Sequence, residues 1–99
     1  MNIIVVSGGF DPIHSGHIEY LKSAKDLGDK LIVALNSDIW LEKKKGKPFM
    51  TFNERKSILE AIQYVSEVIN FEDDEKGSCI NALTKIKKLY PDDKIFFAN

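Results

Sequence analysis

The sequence predicts an α/β fold in which a parallel β-sheet lies between two layers of helices. Short, nearly continuous apolar runs rich in β-branched residues alternate with longer amphipathic segments along the chain. Such runs are typical of strands buried on both faces of a parallel sheet. The resulting β-α-β-α-β-α-β order implies right-handed crossovers, and therefore a doubly wound, three-layer α/β/α arrangement.

Each of the four predicted strands is an apolar run bounded by polar residues. The strands span Asn2–Val6, Lys30–Leu35, Glu67–Ile69 and Lys94–Ala98. A sheet of this type is Rossmann-like, and its ligands bind beyond the carboxyl ends of the strands. The segments that follow the strands are therefore the first candidates for functional residues.

Three helices are predicted between the strands, over residues 17–27, 52–63 and 79–89. Apolar residues recur every three or four positions in each of them, as on the buried face of a helix. The predicted core-facing residues are Ile18, Leu21, Ala24 and Leu27 in the first helix, Ile58, Leu59 and Ile62 in the second, and Ile80, Leu83, Ile86 and Leu89 in the third.

Residues with known capping preferences mark the ends of these helices. Gly28 is predicted to cap the carboxyl end of the first helix. The sequence TFNE, residues 51–54, has the pattern of a capping box at the start of the second helix. Ser78 is the predicted N-cap of the third helix, and Pro91 stops it.

The composition predicts one small domain over residues 1–99, because 43% of the residues are hydrophobic and 29% are charged. Fourteen basic and fifteen acidic residues give no general attraction to nucleic acid or to a membrane surface. The single cysteine, Cys79, cannot form an internal disulfide, and the apolar start is too short for a signal peptide or a membrane span. These observations predict a cytoplasmic protein.

The segment SGGFDPIHSGH, residues 7–17, joins the first predicted strand to the first helix. In a doubly wound sheet this connection presents backbone N–H groups and a helix N-terminus to a phosphate. Gly8 and Gly9 allow the backbone to approach a ligand closely. His14 and His17 are three residues apart, so both can point the same way and donate hydrogen bonds to a phosphate.

Two histidines at this spacing also occur by chance on surfaces or as half of a metal site. A zinc site needs a third or fourth protein ligand, and the chain has no other histidine. Cys79 lies far away in the third predicted helix. The position of the pair at the ligand end of the sheet therefore favours an anion site without a protein-bound metal.

A basic segment, EKKKGKP at residues 42–48, follows the second predicted strand and is interpreted as a loop at the same edge of the sheet. The alternative is a solvated basic loop without function. Arg55 is the only arginine, and its place near the start of the second helix opposes the helix dipole. Such a placement needs compensation, from a ligand site or from a neighbouring acid.

The stretch GGFDPIHSGH resembles the G-x-F-D-x-x-H-x-G-H signature of the cytidylyltransferase-like nucleotidyltransferases. The similarity continues through HIEYLKSAKDLGDKLIVALNSD and NERKSILEAIQYVSEVI, so it covers most of the chain. It implies an enzyme that joins the phosphate of a small acceptor to the α-phosphate of a nucleoside triphosphate and releases pyrophosphate. It also implies Mg²⁺ bound mainly through the triphosphate, and a homodimer.

The resemblance also implies roles for individual residues. His14, His17 and Lys44 are the expected catalytic residues. The residues expected to hold the nucleotide are Gly8, Gly9, Phe10, Asp11, Gly16 and Arg55, with Asp11 fixing the loop rather than reacting. No protein ligand to a metal is expected.

The resemblance leaves the substrate pair open. Gly46 and Gly77 stand where the glycerol-3-phosphate branch has lysines, yet GKPFMTFNERKSILEAI favours CTP and a glycerol-3-phosphate-like acceptor. The alternative pair is ATP and a heptose phosphate. The sequence ends at KIFFAN, before the Arg-x-x-x-Ile-Ser segment with which the family continues, so a nucleotide-binding module without turnover is a third interpretation.

Overall fold

The computed structural model describes residues 1–70 and 80–98 of the chain. Its elements in chain order are β1 (Asn2–Gly8), α1 (Ser15–Lys25), β2 (Lys30–Leu35), α2 (Asp38–Lys45), α3 (Phe52–Glu60), β3 (Glu67–Asn70), α4 (Ile80–Leu89) and β4 (Lys94–Phe97). The predicted alternation of parallel strands and helices is confirmed.

The four strands form one parallel sheet in the order β3-β2-β1-β4. Ile4 of β1 pairs with Leu31 of β2 on one side and with Phe96 of β4 on the other. The chain therefore moves outward from β1 through β2 to β3, and then returns through α4 to place β4 on the far side of β1. In sheets of this kind, ligands bind at the carboxyl ends of the strands where the winding direction changes, here between β1 and β4.

Two apolar cores lie on opposite faces of the sheet. α1 and α3 contribute Leu21, Ala24 and Leu59 to one core, and α4 contributes Ala82 and Ile86 to the other. Residues 3–6 of β1 are all buried because they alternate between the two cores, and the same holds for residues 31–35 of β2. This two-sided burial explains why both strands appear in the sequence as continuous apolar runs.

The position of α2 corrects the sequence prediction, because this helix occupies residues 38–45 and so includes the first part of the predicted basic loop at residues 42–48. The hydroxyl of Ser37 caps the helix by accepting a hydrogen bond from the backbone N–H of Trp40 at 3.1 Å. The helix ends at Gly46, whose φ of 93° is a conformation that glycine adopts readily. Sequence patterning misses α2 because Leu41 is its one buried side chain among those described, which leaves no apolar periodicity.

Several residues predicted to face the core are exposed instead: Ile18 and Leu27 near the ends of α1, Ile58 in α3, Leu89 at the end of α4, and Phe96 and Phe97 in β4. Leu27 lies beyond the end of α1, and the side chains of Ile18, Ile58 and Leu89 belong to neither apolar core. The two phenylalanines are exposed because β4 is an edge strand that pairs with β1 alone in the described sheet.

Gly28 has a different role from the predicted one. The first helix ends at Lys25, with Asp26 as its C-cap, so Gly28 does not cap it. A Cβ atom at Gly28 would lie 2.7 Å from the side chain of Ile4 and 2.9 Å from the carbonyl oxygen of Asn2. Glycine is therefore needed here because the chain passes closely over β1.

The predicted start of the second helix is confirmed, since the hydroxyl of Thr51 accepts a hydrogen bond from the backbone N–H of Glu54 at 3.3 Å. The predicted N-cap Ser78 and the single Cys79 lie outside the described residues. Among the helices of residues 1–70 and 80–98, none is long and apolar enough to cross a membrane.

Candidate functional site

The connection between β1 and α1 is a tight loop at the carboxyl end of the sheet. Phe10 lies in it with a positive φ of 49°, and its ring is almost completely buried. A Cβ atom at Gly8 would lie 3.1 Å from this ring, and one at Gly9 would lie 2.9 Å from the side chain of Leu41. The two glycines therefore allow the loop to fold over Phe10 and to pack against α2.

His14 and His17 together form the start of α1. The Nδ1 atom of His14 accepts a hydrogen bond from the backbone N–H of Gly16 at 3.0 Å. The Nδ1 atom of His17 accepts one from the backbone N–H of His14 at 3.2 Å, so the two imidazoles build a capping box. Gly16 makes room for this arrangement, because a Cβ atom there would lie 2.8 Å from the ring of His14.

The capping box determines which nitrogen of each histidine faces a ligand. Both Nδ1 atoms act as acceptors, so the hydrogen-bond network assigns the proton of each neutral ring to Nε2. Within the described part of the chain, neither Nε2 atom donates a hydrogen bond. The rings stack with centroids 4.1 Å apart and planes 28° apart, so two N–H donors lie side by side at a helix N-terminus.

The environment of His17 favours its neutral form. Partial burial lowers its pKa below the ordinary value of 6.5, and the neighbouring His14 lowers it further. The ring of Phe10 meets the ring of His17 edge-on at a centroid distance of 4.9 Å. At neutral pH, His17 therefore carries an uncharged Nε2–H group.

Asp11 ties the glycine-containing loop to the connection between α2 and α3. Its carboxylate accepts hydrogen bonds from the backbone N–H of Phe49 at 2.8 Å and from that of Met50 at 2.7 Å. Charged acceptors make such bonds strong. These contacts agree with the expectation that Asp11 fixes the loop, while a direct contact with nucleotide stays a prediction.

Arg55 is fully buried and joins four segments around the site. Its Nη1 donates to the carbonyl oxygens of Gly9 at 2.9 Å and Asn36 at 2.8 Å. Its Nε donates to the carbonyl oxygen of Met50 at 3.1 Å, and its Nη2 forms an ion pair with Asp38 at 2.7 Å. These partners are the compensation that its place near the start of a helix requires.

The resemblance implies that Arg55 lies near the nucleotide or supports the lysine segment; its burial suits the supporting role, and a contact with nucleotide stays a prediction. A side chain with 0% exposure has no surface to offer a ligand in this conformation. Arg55 acts instead on the backbone, because it holds the carbonyl of Gly9 beside that of Asn36. The sequence shows that the positive charge of Arg55 needs compensation, but it does not show which groups bind the side chain. The one available signal is Ser37-Asp38, a helix-start pattern directly after a strand.

Lys44 lies in the last turn of α2 rather than in a loop. Its side chain is exposed, and its Nζ atom lies 5.4 Å from the centre of the Trp40 ring. The lysines at this end of α2 also complement the negative end of the helix dipole. The structure thus places Lys44 on the helix that packs against the glycine loop, and its role in catalysis stays a prediction.

The donor set around the site contains few metal ligands. Across the described ranges 1–70 and 80–98, no three or more His, Cys, Asp or Glu side chains come together in a way that could hold a metal ion. The site instead offers a pair of N–H donors and a helix N-terminus, and lysines lie at the end of α2. This chemistry suits a phosphate group.

Comparison with known proteins places this geometry in a family. The sequence profile described as "Cytidylyltransferase-like" matches residues 5–98. The chain belongs to the cytidylyltransferase-like family. This membership confirms the resemblance noted for GGFDPIHSGH.

Two curated relatives show which members the chain is similar to. It is 44% identical over 90 residues to a protein named "FAD synthase" from Pyrococcus abyssi, covering 90% of this chain and 57% of the relative. It is 47% identical over 84 residues to "Bifunctional protein HldE" from Blochmanniella pennsylvanica, covering 83% of this chain and 18% of the relative. The chain thus spans little more than half of the length of the first relative and less than a fifth of the length of the second.

One solved structure has a similar fold over the whole chain. It is described as "the lipopolysaccharide core biosynthesis protein from Thermoplasma volcanium GSS1" and superposes with a TM-score of 0.70. The sequences are 26% identical, and the alignment covers 100% of this chain and 97% of the other.

Proposed function

We propose that this protein transfers an adenylyl group from ATP to the phosphate of a small acceptor and releases pyrophosphate. The observation that carries the proposal is the histidine capping box, which fixes two Nε2–H donors at the N-terminus of α1. In this transfer an oxygen of the acceptor phosphate bonds to the α-phosphorus of ATP, and the bond from that phosphorus to the bridging oxygen breaks.

The chemistry needs anion stabilisation more than it needs a base. A phosphate acceptor is already ionised at neutral pH, so no side chain has to remove a proton before it attacks. The enzyme must hold two anions in line and stabilise the charge on the equatorial oxygens of the α-phosphate. His14 and His17 supply donors for these oxygens, and donors that are fixed before the reaction are the most effective.

The other predicted site residues support this role. The backbone of Gly8, Gly9 and Phe10 would hold the triphosphate beside the start of α1. Lys44 would bring positive charge to the phosphates from the end of α2. Gly16 and Arg55 act by shaping the loop, as their contacts indicate.

Mg²⁺ would enter bound to the triphosphate. The described residues gather no cluster of carboxylates for it, so phosphate oxygens and water would form most of its coordination shell. When bound, it neutralises phosphate charge during the transfer.

ATP is favoured over the CTP suggested by the sequence because of the named relatives. FAD is an adenine dinucleotide, so a FAD synthase is by its name an adenylyl-transferring enzyme. The match to this relative covers 90% of this chain, with 44% of the aligned residues identical. The HldE match covers 83% of the chain and agrees with the alternative of a heptose-phosphate adenylyltransferase. CTP with glycerol 3-phosphate remains the competing pair.

The test is isotope transfer with both nucleotides. ATP or CTP labelled at the α-phosphorus is incubated with Mg²⁺ and, in turn, flavin mononucleotide (FMN), a heptose 1-phosphate and glycerol 3-phosphate. We expect the α-label in the acceptor product from ATP, with unlabelled pyrophosphate released. Label that stays in a nucleoside diphosphate while the acceptor gains an unlabelled phosphate would contradict nucleotidyl transfer, and ATP binding without transfer would support the nucleotide-binding module instead.

The homodimer implied by the family resemblance is also a proposal. The exposed aromatic residues Phe96 and Phe97 on an edge strand favour self-association. Sedimentation at micromolar concentration is expected to show a dimer, and a strictly monomeric profile would contradict it.

A further inference from the structure

At the carboxyl edge of the sheet, one region lies between β1 and β4 and another lies on the β2 side of β1. The proposed reaction has two substrates, so each region can bind one of them. The strand order places the change of winding between β1 and β4, which is where such sheets bind a nucleotide. The connection between α2 and α3 follows β2, on the opposite side of β1. If the nucleotide lies on the β4 side, the acceptor must approach the histidines from the β2 side.

The backbone at Phe49 and Met50 is held rigidly on this acceptor side. The N–H groups of both residues donate to Asp11, and the carbonyl of Met50 accepts from Arg55. Arg55 also binds the carbonyl of Gly9, so a closed ring of contacts joins this connection to the glycine loop. The position of Phe49 is therefore fixed relative to the histidine-bearing loop.

The side chain of Phe49 is 77% exposed although its backbone is fixed. An exposed aromatic ring offers a flat apolar face on which a second ring can stack. The residue stands two positions after Lys47 and in the same connection as the end of α2, so positive charge for a phosphate lies nearby. An aromatic surface next to phosphate-binding groups fits a phosphorylated molecule that has a flat ring system.

We propose that Phe49 is a specificity-determining residue that stacks on a planar aromatic ring of the acceptor. This inference rests on the proposed function, and it narrows the acceptor class from any small phosphate to a phosphorylated aromatic compound. The ring of Phe49 binds the flat part of the acceptor while its phosphate reaches His14 and His17. A sugar or glycerol phosphate has no ring face to stack in this way.

FMN and ribitol 5-phosphate form a matched pair for the test. They share the phosphate and the ribitol chain, and FMN alone carries the aromatic ring system. KM for FMN and for ATP is measured with the wild type, Phe49→Ala and Phe49→Trp, with ribitol 5-phosphate assayed as substrate or as competitive inhibitor. Ile39→Ala is the control variant, because Ile39 is also exposed, at 65%, but lies in the first turn of α2.

We expect Phe49→Ala to raise KM for FMN about tenfold, as for the loss of one stacking contact. KM for ATP and the affinity for ribitol 5-phosphate should stay unchanged, and Phe49→Trp should restore FMN binding. Equal weakening of FMN and ribitol 5-phosphate would overturn the inference, as would an effect no larger than that of Ile39→Ala.

A binding measurement separates this inference from the proposed function. Isothermal titration of FMN into the protein measures its affinity and needs no turnover. If no acceptor is adenylylated, the proposed function fails, and the titration still decides the role of Phe49. An FMN affinity that falls in Phe49→Ala supports stacking, whereas no FMN binding, or equal affinity in both proteins, overturns it.

Discussion

The two ends of the sheet carry similar polar contacts but use them differently. At the amino end, Lys30 donates to the hydroxyl of Tyr90 at 2.9 Å, and that hydroxyl donates to Glu67 at 2.7 Å. The amino group of Met1 forms an ion pair with Asp93 at 2.8 Å. These contacts join neighbouring elements, and their chemistry is explained by the fold alone.

The carboxyl end contains such structural contacts and also donors that the fold does not use. Arg55 and Asp11 join neighbouring segments, as the polar residues of the amino end do. His14 and His17 differ, because each uses Nδ1 for the helix start and leaves Nε2–H without a hydrogen bond in the described structure. The comparison teaches that the donors left over after folding, rather than polar residues as such, identify the functional end.

Loss of Arg55 should have the largest effect on stability. Arg55→Met keeps much of the side-chain volume but leaves the carbonyls of Gly9, Asn36 and Met50 without their donor. Unpaired buried polar groups cost about 1–3 kcal/mol each, so we expect the free energy of unfolding to fall by about 3 kcal/mol or more. Urea unfolding measures this, and a loss below about 1 kcal/mol would show that Arg55 does not hold these segments together.

Loss of a polar contact at the amino end should reduce the free energy of unfolding less than loss of Arg55 does, and it should not affect turnover. Tyr90→Phe removes the hydroxyl that links Lys30 to Glu67. We expect a loss of about 1 kcal/mol in the free energy of unfolding, as for one hydrogen-bonded group. Adenylyl transfer should keep its wild-type kcat and KM; a marked fall in kcat at unchanged folding would contradict the division between the two ends.

The two ends should also respond oppositely to pH. The lowered pKa of His17 means that the folded protein disfavours the charged ring, so its contribution to stability is present above pH 6.5 and decreases as the pH falls below that value. The pKa of the Met1 amino group is raised from 8.0, chiefly by its hydrogen bond to Asp93, so that contribution is present below pH 8.0 and decreases as the pH rises.

Thermal unfolding between pH 5 and pH 10 tests this pair of effects, which we expect to be the smallest. His17→Gln should reduce the loss of stability on the acid side, and Asp93→Asn should reduce it on the alkaline side. Unchanged pH profiles in both variants would contradict the assignment of these groups.

The fold could be predicted well from the sequence where burial is two-sided. Residues 3–6 and 31–35 pack into both cores, so their apolar runs are unambiguous. Two-sided burial was also expected for β4, but it lies at the sheet edge with Phe96 exposed, and a strand's position in the sheet is not encoded in its own pattern. α2 escaped prediction because it buries a single leucine among its described side chains.

The site could be predicted as a set of residues but not as a geometry. The histidine spacing indicated two donors facing one way, and the structure shows that a capping box produces this arrangement. Histidine is not a usual N-cap residue, so the sequence placed the helix start at residue 17 rather than 15. Asp11 and its partner Phe49 are 38 positions apart in the sequence, and Arg55 and its partner Gly9 are 46 positions apart. No local sequence pattern reveals such contacts.

The most direct measurement compares kcat for adenylyl transfer in wild type and in His14→Asn/His17→Gln. Asparagine at the N-cap and glutamine three residues later preserve a capping box, so the free energy of unfolding should change by less than about 1 kcal/mol. The two imidazole Nε2–H donors are replaced by amide groups that hold their N–H bonds in other positions, and we expect kcat to fall by about a hundredfold or more. Wild-type turnover in this variant, with the helix intact, would contradict the central role of the histidine pair.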